Sequence, residues 1–180
     1  AKLYCEISNK DLMKKFKSGL IFNLQPKIKL NESLLKQLTH IVALAGAEQI
    51  QAALKTNADI IIAGRTTDTA IISALPLLKG ANAGSSWHGA KVAECGALCS
   101  TEPTSGVVMI EFDENGFVIY PTSKNANCTP ETVSAHMLYE NANPFILHEP
   151  GGHMDVKKAS YEALNKNKVQ VNGAKWIKSK

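Results

Sequence analysis

Arginine is almost missing from this chain. Of its 20 basic residues only Arg65 is an arginine. Bidentate phosphate and base-edge contacts usually recruit the planar guanidinium fork, so a nucleic-acid grip is disfavoured. The lysines are nonetheless polarised. Residues 1–29 carry seven Lys against two acids, and residues 152–180 repeat that balance. The stretch 30–151 has six basic and twelve acidic residues. The net charge of +4 is small for a polyanion binder, and the lysines read as solvated surface. No apolar run approaches the roughly 18 residues of a membrane helix. The N-terminal stretch shows no basic-then-apolar secretory pattern. Cysteine is sparse, at positions 5, 95, 99 and 128. Only Cys95 and Cys99 are close, and the paired C-x2-C of a zinc ribbon is absent. These thiols read as reduced cysteines of a cytoplasmic protein. Repeats, low-complexity linkers and the phosphate loops GxxxxGK[ST] and GxGxxG are missing too. What is present is 180 residues, 44% apolar and 20% charged, an ordinary globular balance with enough chain to bury a core.

The patterning predicts alternating strands and helices in the first half. Leu3–Ile7 and Leu20–Leu24 read as strands around a helix over Lys10–Lys17, capped by Ser8 or Asn9 and ended by Gly19. Asn31 caps a helix over Ser33–His40. Ile41–Ala45 is read as a buried strand, Ala47–Thr56 as a helix closed by Asn57, and Ala58–Ala63 as the clearest strand of the chain. A continuous apolar run such as ADIIIA suits a parallel sheet covered on both faces, and the spacing implies a right-handed crossover. Thr66 or Thr67 then caps a helix to about Lys79, kinked or shortened by Pro76, with Gly80 as its stop. Ser86 caps a helix over Trp87–Cys99. Val107–Phe112 and Phe117–Tyr120 form a hairpin around Asn115-Gly116, a pair that tolerates positive φ. Thr129-Pro130 opens a helix to about Glu140, Phe145–His148 is a short strand, and Tyr161–Leu164 with Lys168–Val171 closes the chain as a hairpin. The expected class is α/β: a three-layer-like sheet with a parallel βαβ unit in the first half and an α+β, hairpin-containing second half. It forms one domain over 1–180, or two lobes meeting near residue 105.

Three segments carry residues with chemistry. Gly64-Arg65-Thr66-Thr67-Asp68 lies where a strand ends and a helix begins, the place where open parallel sheets bind ligands. Free backbone N–H groups at the helix start, the Thr hydroxyls and Arg65 suit a carboxylate, phosphate or CoA-type anion, with Asp68 orienting Arg65. A purely structural reading makes the same residues an Arg–Asp pair with a threonine cap. On WHGAKVAECGALC (87–99), His88, Lys91, Cys95 and Cys99 share one helix side and Glu94 is offset. They offer a base, an amine or a ligand, or simply a half-buried helix. No metal site is assigned: His88, Cys95 and Cys99 span about 16 Å along a helix, although Cys95 and Cys99 alone can share an ion with outside ligands. His148-Glu149-Pro150-Gly151-Gly152-His153 is a rigid turn bearing a candidate base, Glu149, with His148 or His153 beside it. His136 and His40 read as structural.

These pieces in this order resemble the acyclic terpene utilisation (AtuA-like) family: ADIIIAGRTTDTAIISALPLLKG at 58–80, WHGAKVAECGALC at 87–99, TPETVSAHMLYENANPFILHEPGG at 129–152, and the tail SYEALNKNKVQVNGAKW. Members are substantially longer, so the resemblance implies an internal or C-terminal part of a longer protein. It implies a cytoplasmic α/β protein of branched, terpene-derived acid or acyl-CoA catabolism, and site status for Arg65, Asp68, His88, Glu94 and Glu149.

Two functions stay open. In the first, an enzyme binds a small anionic molecule or acyl-CoA through Gly64, Arg65, Thr66, Thr67, Asp68, Lys91, Glu94 and His153. His88 or Glu149 then moves a proton in hydratase, isomerase or lyase chemistry. In the second, the chain is a non-catalytic regulatory or interaction module. Partners are then a second copy or another subunit, with no nucleic acid and no membrane. No cofactor is named by the sequence.

Overall fold

A computed structural model describes residues 7–21, 30–104 and 106–179. The expected strand residues 3–6 and 22–24 lie outside them. The chain divides into two compact units, 1–44 and 45–180.

The first unit holds two short helices, α1 (Asn9–Lys17) and α2 (Glu32–Gln37). Their caps are the expected ones: Ser8 Oγ accepts from Asp11 N and Asn31 Oδ1 from Leu34 N. The second helix stops at Gln37, short of His40, because Leu38 turns extended. Leu35 is its buried residue, so this unit has little core.

The second unit begins with α3 (Ala47–Leu54), α4 (Asp68–Leu78) and α5 (Ala83–Ala93), packed in succession. Asn57 closes α3 at φ 55°, and Gly80 follows α4 at φ 84°. Pro76 lies inside α4, which nonetheless runs on to Leu78 with Lys79 as its C-cap. The α5 helix starts earlier than expected, because Asn82 rather than Ser86 supplies the cap: Asn82 Oδ1 accepts from Ser85 N. It also ends sooner, and residues Gly96–Cys99 form a 3₁₀ turn. A four-stranded antiparallel sheet has the order β1-β2-β6-β5, and a three-stranded antiparallel sheet the order β3-β4-β7. Here β1 is Val108–Phe112, β2 Gly116–Pro121, β3 Ile146–Glu149, β4 Gly152–Asp155, β5 Ser160–Ala163, β6 Val169–Asn172 and β7 Lys175–Lys178. The α6 helix (Pro130–Ala135) has its cap at Thr129 and runs on as a 3₁₀ turn, His136–Leu138. The fold is thus mixed α/β, with every expected hairpin present.

The expected parallel sheet is the main correction. Ala58–Ala63 joins no ladder, and Ile60 and Ile62 are 81% and 92% exposed. Ile41–Ala45 forms no ladder among the described residues, only isolated bridge positions at Val42 and Ala45. The βαβ unit reduces to one parallel bridge across α3, Ala45 to Thr66, held by Ala45 N to Arg65 O (3.0 Å) and Thr67 N to Ala45 O (3.2 Å). A run of isoleucines states a preference for burial, and the partner strands that would provide it are not among the described residues. The β1–β2 turn is a smaller correction. Asp113 Oδ1 accepts from both Asn115 N and Gly116 N, and neither Asn115 nor Gly116 has positive φ. The aspartate side chain makes this turn.

The core is built around α5. Every residue from Gly84 to Val92 is buried, because α4, β1 and β2 of one sheet, and β4 and β7 of the other all pack on it. Trp87 stacks on Trp176 (centroids 4.8 Å, planes 14° apart), a geometry worth about 0.5–1.5 kcal/mol beyond the buried area. Close approach requires glycine at position 84, where a Cβ would sit 2.3 Å from the Ala174 carbonyl oxygen. Gly84→Ala is therefore expected to lose about 1–3 kcal/mol in urea unfolding. Gly64→Ala, whose Cβ would meet nothing within 4 Å, should leave the midpoint unchanged or slightly raised. Equal midpoints for the two variants would contradict this packing.

Candidate functional site

The first turn of α4, the C-terminal end of α5 and the stretch from Glu140 to Glu149 surround a cavity of about 390 Å³. Thr67 opens it as the α4 N-cap, its Oγ1 accepting from Ala70 N (3.3 Å). Asp68 and Thr69 follow on the same turn. The α5 helix brings Lys91 and Glu94, one turn apart. Glu149 ends β3, where Pro150 and Gly151 turn the chain into β4. This turn is seated against the start of α3: a Cβ on Gly46 would touch the Pro150 ring at 2.8 Å.

Among the polar residues of the lining, Thr69 and Lys91 are buried and Glu94 and Glu149 half-buried, whereas Asp68, Glu140, Asn143 and His148 face solvent. Lys91 Nζ is paired with Glu94 Oε1, and both side chains are 7% exposed. Breaking such a buried pair on one side leaves an uncompensated charge. Glu149 accepts a hydrogen bond from the Thr69 hydroxyl on Oε1. Its Oε2 is buried and makes no hydrogen bond among the described residues. Burial raises the Glu94 carboxyl above the ordinary range. Lys91 opposes that shift, while the charges of Asp68 and Glu149 add to it. The cavity therefore collects carboxylates at Asp68, Glu94, Glu140 and Glu149 around one ammonium.

Of the sequence-predicted residues, Thr67, Asp68, Lys91, Glu94 and Glu149 line this cavity together with His148. All three predicted segments thus contribute to one place. Others do not reach it. Gly64 and Arg65 are exposed, and no ion pair joins Arg65 to Asp68 among the described residues. Thr66 Oγ1 donates to Ala45 O (3.0 Å) and pins the parallel bridge. His153 stands opposite His148 across the β3–β4 ladder, rings 5.5 Å apart, but is not part of the lining. His88 is fully buried elsewhere, edge-on to Phe117, with Nε2 3.0 Å from the Tyr161 hydroxyl. Sequence reasoning missed Thr69, one residue beyond the predicted segment, and the Glu140–Asn143 turn. Glu140 is marked only by its left-handed φ of 57°. It also read His136 as structural, although that ring is buried with neither nitrogen hydrogen-bonded. A larger groove of about 1100 Å³, beside β1, contains none of the predicted site residues.

A family model described as the acyclic terpene utilisation family protein AtuA matches residues 7–179. The chain belongs to that family. No curated protein and no solved structure matches it. AtuA family membership ties the chain to the utilisation of acyclic terpenes. In the described residues no helix is long and apolar enough to cross a membrane.

Burial holds the His88 imidazole down at about 3, so it stays neutral across the physiological range. The unfolded histidine binds a proton near 6.5 and the folded one resists, so this stability is complete above pH 6.5 and is lost as pH falls toward 3. One such group tilts stability by about 1.4 kcal/mol per pH unit in that window. His136 is lowered by burial and by Lys91, with the same sign. His88→Gln should flatten the pH dependence of unfolding between pH 6 and 4 by about one proton. An unchanged slope would mean that His88 is solvated in the folded chain.

Proposed function

We propose that this cavity carries proton-transfer chemistry, of hydratase, isomerase or lyase type, on a branched, terpene-derived acid or its CoA ester. The observation that carries the reading is Glu149. One of its oxygens is fixed by Thr69, and the other is buried without a partner beside the Lys91–Glu94 pair. A carboxylate oriented in this way is a general base with one lone-pair direction left for a substrate proton. Lys91, held in place by its pairing with Glu94, stabilises negative charge that develops on a carbonyl oxygen.

The volume of about 390 Å³ lies at the small end of ligand pockets. It suits the reacting part of the molecule rather than a whole CoA ester. The excess of carboxylates inside repels phosphate, so the anionic end of the substrate stays outside, where exposed Arg65 with Gly64, Thr66 and the α4 cap takes it. His88 has no step here, because its buried ring is committed to Tyr161.

The test has two stages. Branched α,β-unsaturated acids and their CoA esters are screened by thermal melt, where a ligand at 100 times its Kd adds about 2.7 kcal/mol. Ligands that raise the melt are then incubated in D₂O and assayed for deuterium at the carbon next to the carbonyl. Glu149→Gln should retain the melt shift and lose exchange by about 10²–10⁴-fold. Exchange at the wild-type rate in Glu149→Gln would remove the base from the mechanism. A second reading, a non-catalytic module docked on a partner, is favoured by the bare Ile60 and Ile62. It would be preferred if no acid or ester shifts the melt.

A further inference from the structure

Around Glu94, a residue of the cavity wall, three side chains of different chemistry converge. A ring nitrogen of His136, the Cys95 thiol and a Glu94 carboxylate oxygen all lie within 4.8 Å of one another. We propose that these three residues bind a divalent transition-metal ion of the zinc class, with its fourth position open to solvent on the side of exposed Cys95.

A second observation points to the same ligand. His136 is 4% exposed, and neither ring nitrogen makes a hydrogen bond among the described residues. Leaving a buried imidazole without a partner is costly, and a metal ion at the Glu94–Cys95 side supplies one. Tyr139 stacks on the ring (5.7 Å, 27°) and limits its rotation.

The local backbone favours a cation. Glu94 and Cys95 directly follow the last residue of α5, where the negative end of the helix dipole lies. Lys91 occupies Glu94 Oε1, so the other carboxylate oxygen is available to the ion. The mixed N, S and O donors suit zinc rather than magnesium or calcium. Around a tetrahedral ion with bonds of about 2.0–2.3 Å the donors stand roughly 3.3–3.6 Å apart. The three ligand atoms, all within 4.8 Å of one another, approach that spacing, and Cys95 is exposed. On binding, the thiol releases its proton to solvent. With three protein ligands and one open position, the site has the composition of a catalytic rather than a structural zinc centre.

The chain, stripped with a chelator, is titrated with Zn²⁺ and Co²⁺ and followed by calorimetry and absorption. One equivalent should bind, with the thiolate-to-cobalt charge-transfer band and the strong visible bands of tetrahedral cobalt. Cys95→Ser should abolish the charge-transfer band, His136→Gln should weaken binding at least ten-fold, and Cys99→Ser should change neither. Absence of stoichiometric uptake, or a full band in Cys95→Ser, would overturn the proposal. Because Cys95 is exposed, its serine variant tests the site even if His136→Gln fails to fold. The readout needs no substrate, so this proposal and the role of Glu149 stand or fall separately.

Discussion

A helix without a solvent face must find a partner for every polar group it carries, and α5 has no solvent face. Its nine buried residues, Gly84 to Val92, include two serines, a histidine and a lysine. The glycines let strands approach: Gly84 admits the backbone before β7, and Gly89 admits Phe112 and Phe117. The polar side chains are then settled one by one. Ser86 donates to the Asn82 carbonyl, His88 meets the Tyr161 hydroxyl, and Lys91 takes Glu94. Two of these solutions only stabilise. The third delivers an ion pair to the end of the helix, where the packing opens into a cavity. Both sheets are needed for this arrangement, because one holds the His88 side of α5 through Phe117 and the other holds Trp87 through Trp176.

The same logic separates His88 from His136. Both are buried and both are held neutral by desolvation. His88 has a hydroxyl partner and aromatic neighbours on two sides, so its burial is accounted for within the fold. His136 has a stacked tyrosine and no hydrogen bond. An unsatisfied buried group persists when something outside the fold completes it or when the site uses the strain. Glu149 Oε2, in the cavity wall, is in the same condition among the described residues. Two side chains with unpartnered buried polar atoms are a stronger functional sign than any single residue type there.

Much of the local structure was legible because short-range chemistry decides it. Asn31, Thr67 and Thr129 cap helices where a side-chain oxygen precedes an apolar period, and Gly80 and Asn57 end them by adopting positive φ. The α5 start was misread because Asn82 and Ser86 are both competent caps, and Asn82 wins by adding a full turn of buried helix. The failures at Ala58–Ala63 and Ile41–Ala45 are of another kind. Apolar runs encode what a strand wants on its faces, whereas pairing depends on other segments, and among the described residues only isolated bridge positions form, at Val42, Ala45 and Thr66.

For the site, the sequence located Asp68, Lys91, Glu94 and Glu149 by residue type at element ends, and the fold brings them together. It ranked Arg65 and His88 highly because an only arginine and a histidine beside a lysine are conspicuous in a string. Neither is conspicuous in space: Arg65 is in solvent and His88 is in the core. Thr69, Cys95 and His136 acquire meaning only from tertiary neighbours, Glu149 80 positions away for the first and each other, 41 positions apart, for the rest. No periodicity or motif encodes such distances. The family match covers all of these residues but is silent on which of them react. The proposals for Glu149 and His136 rest instead on their buried polar atoms, which make no hydrogen bond among the described residues.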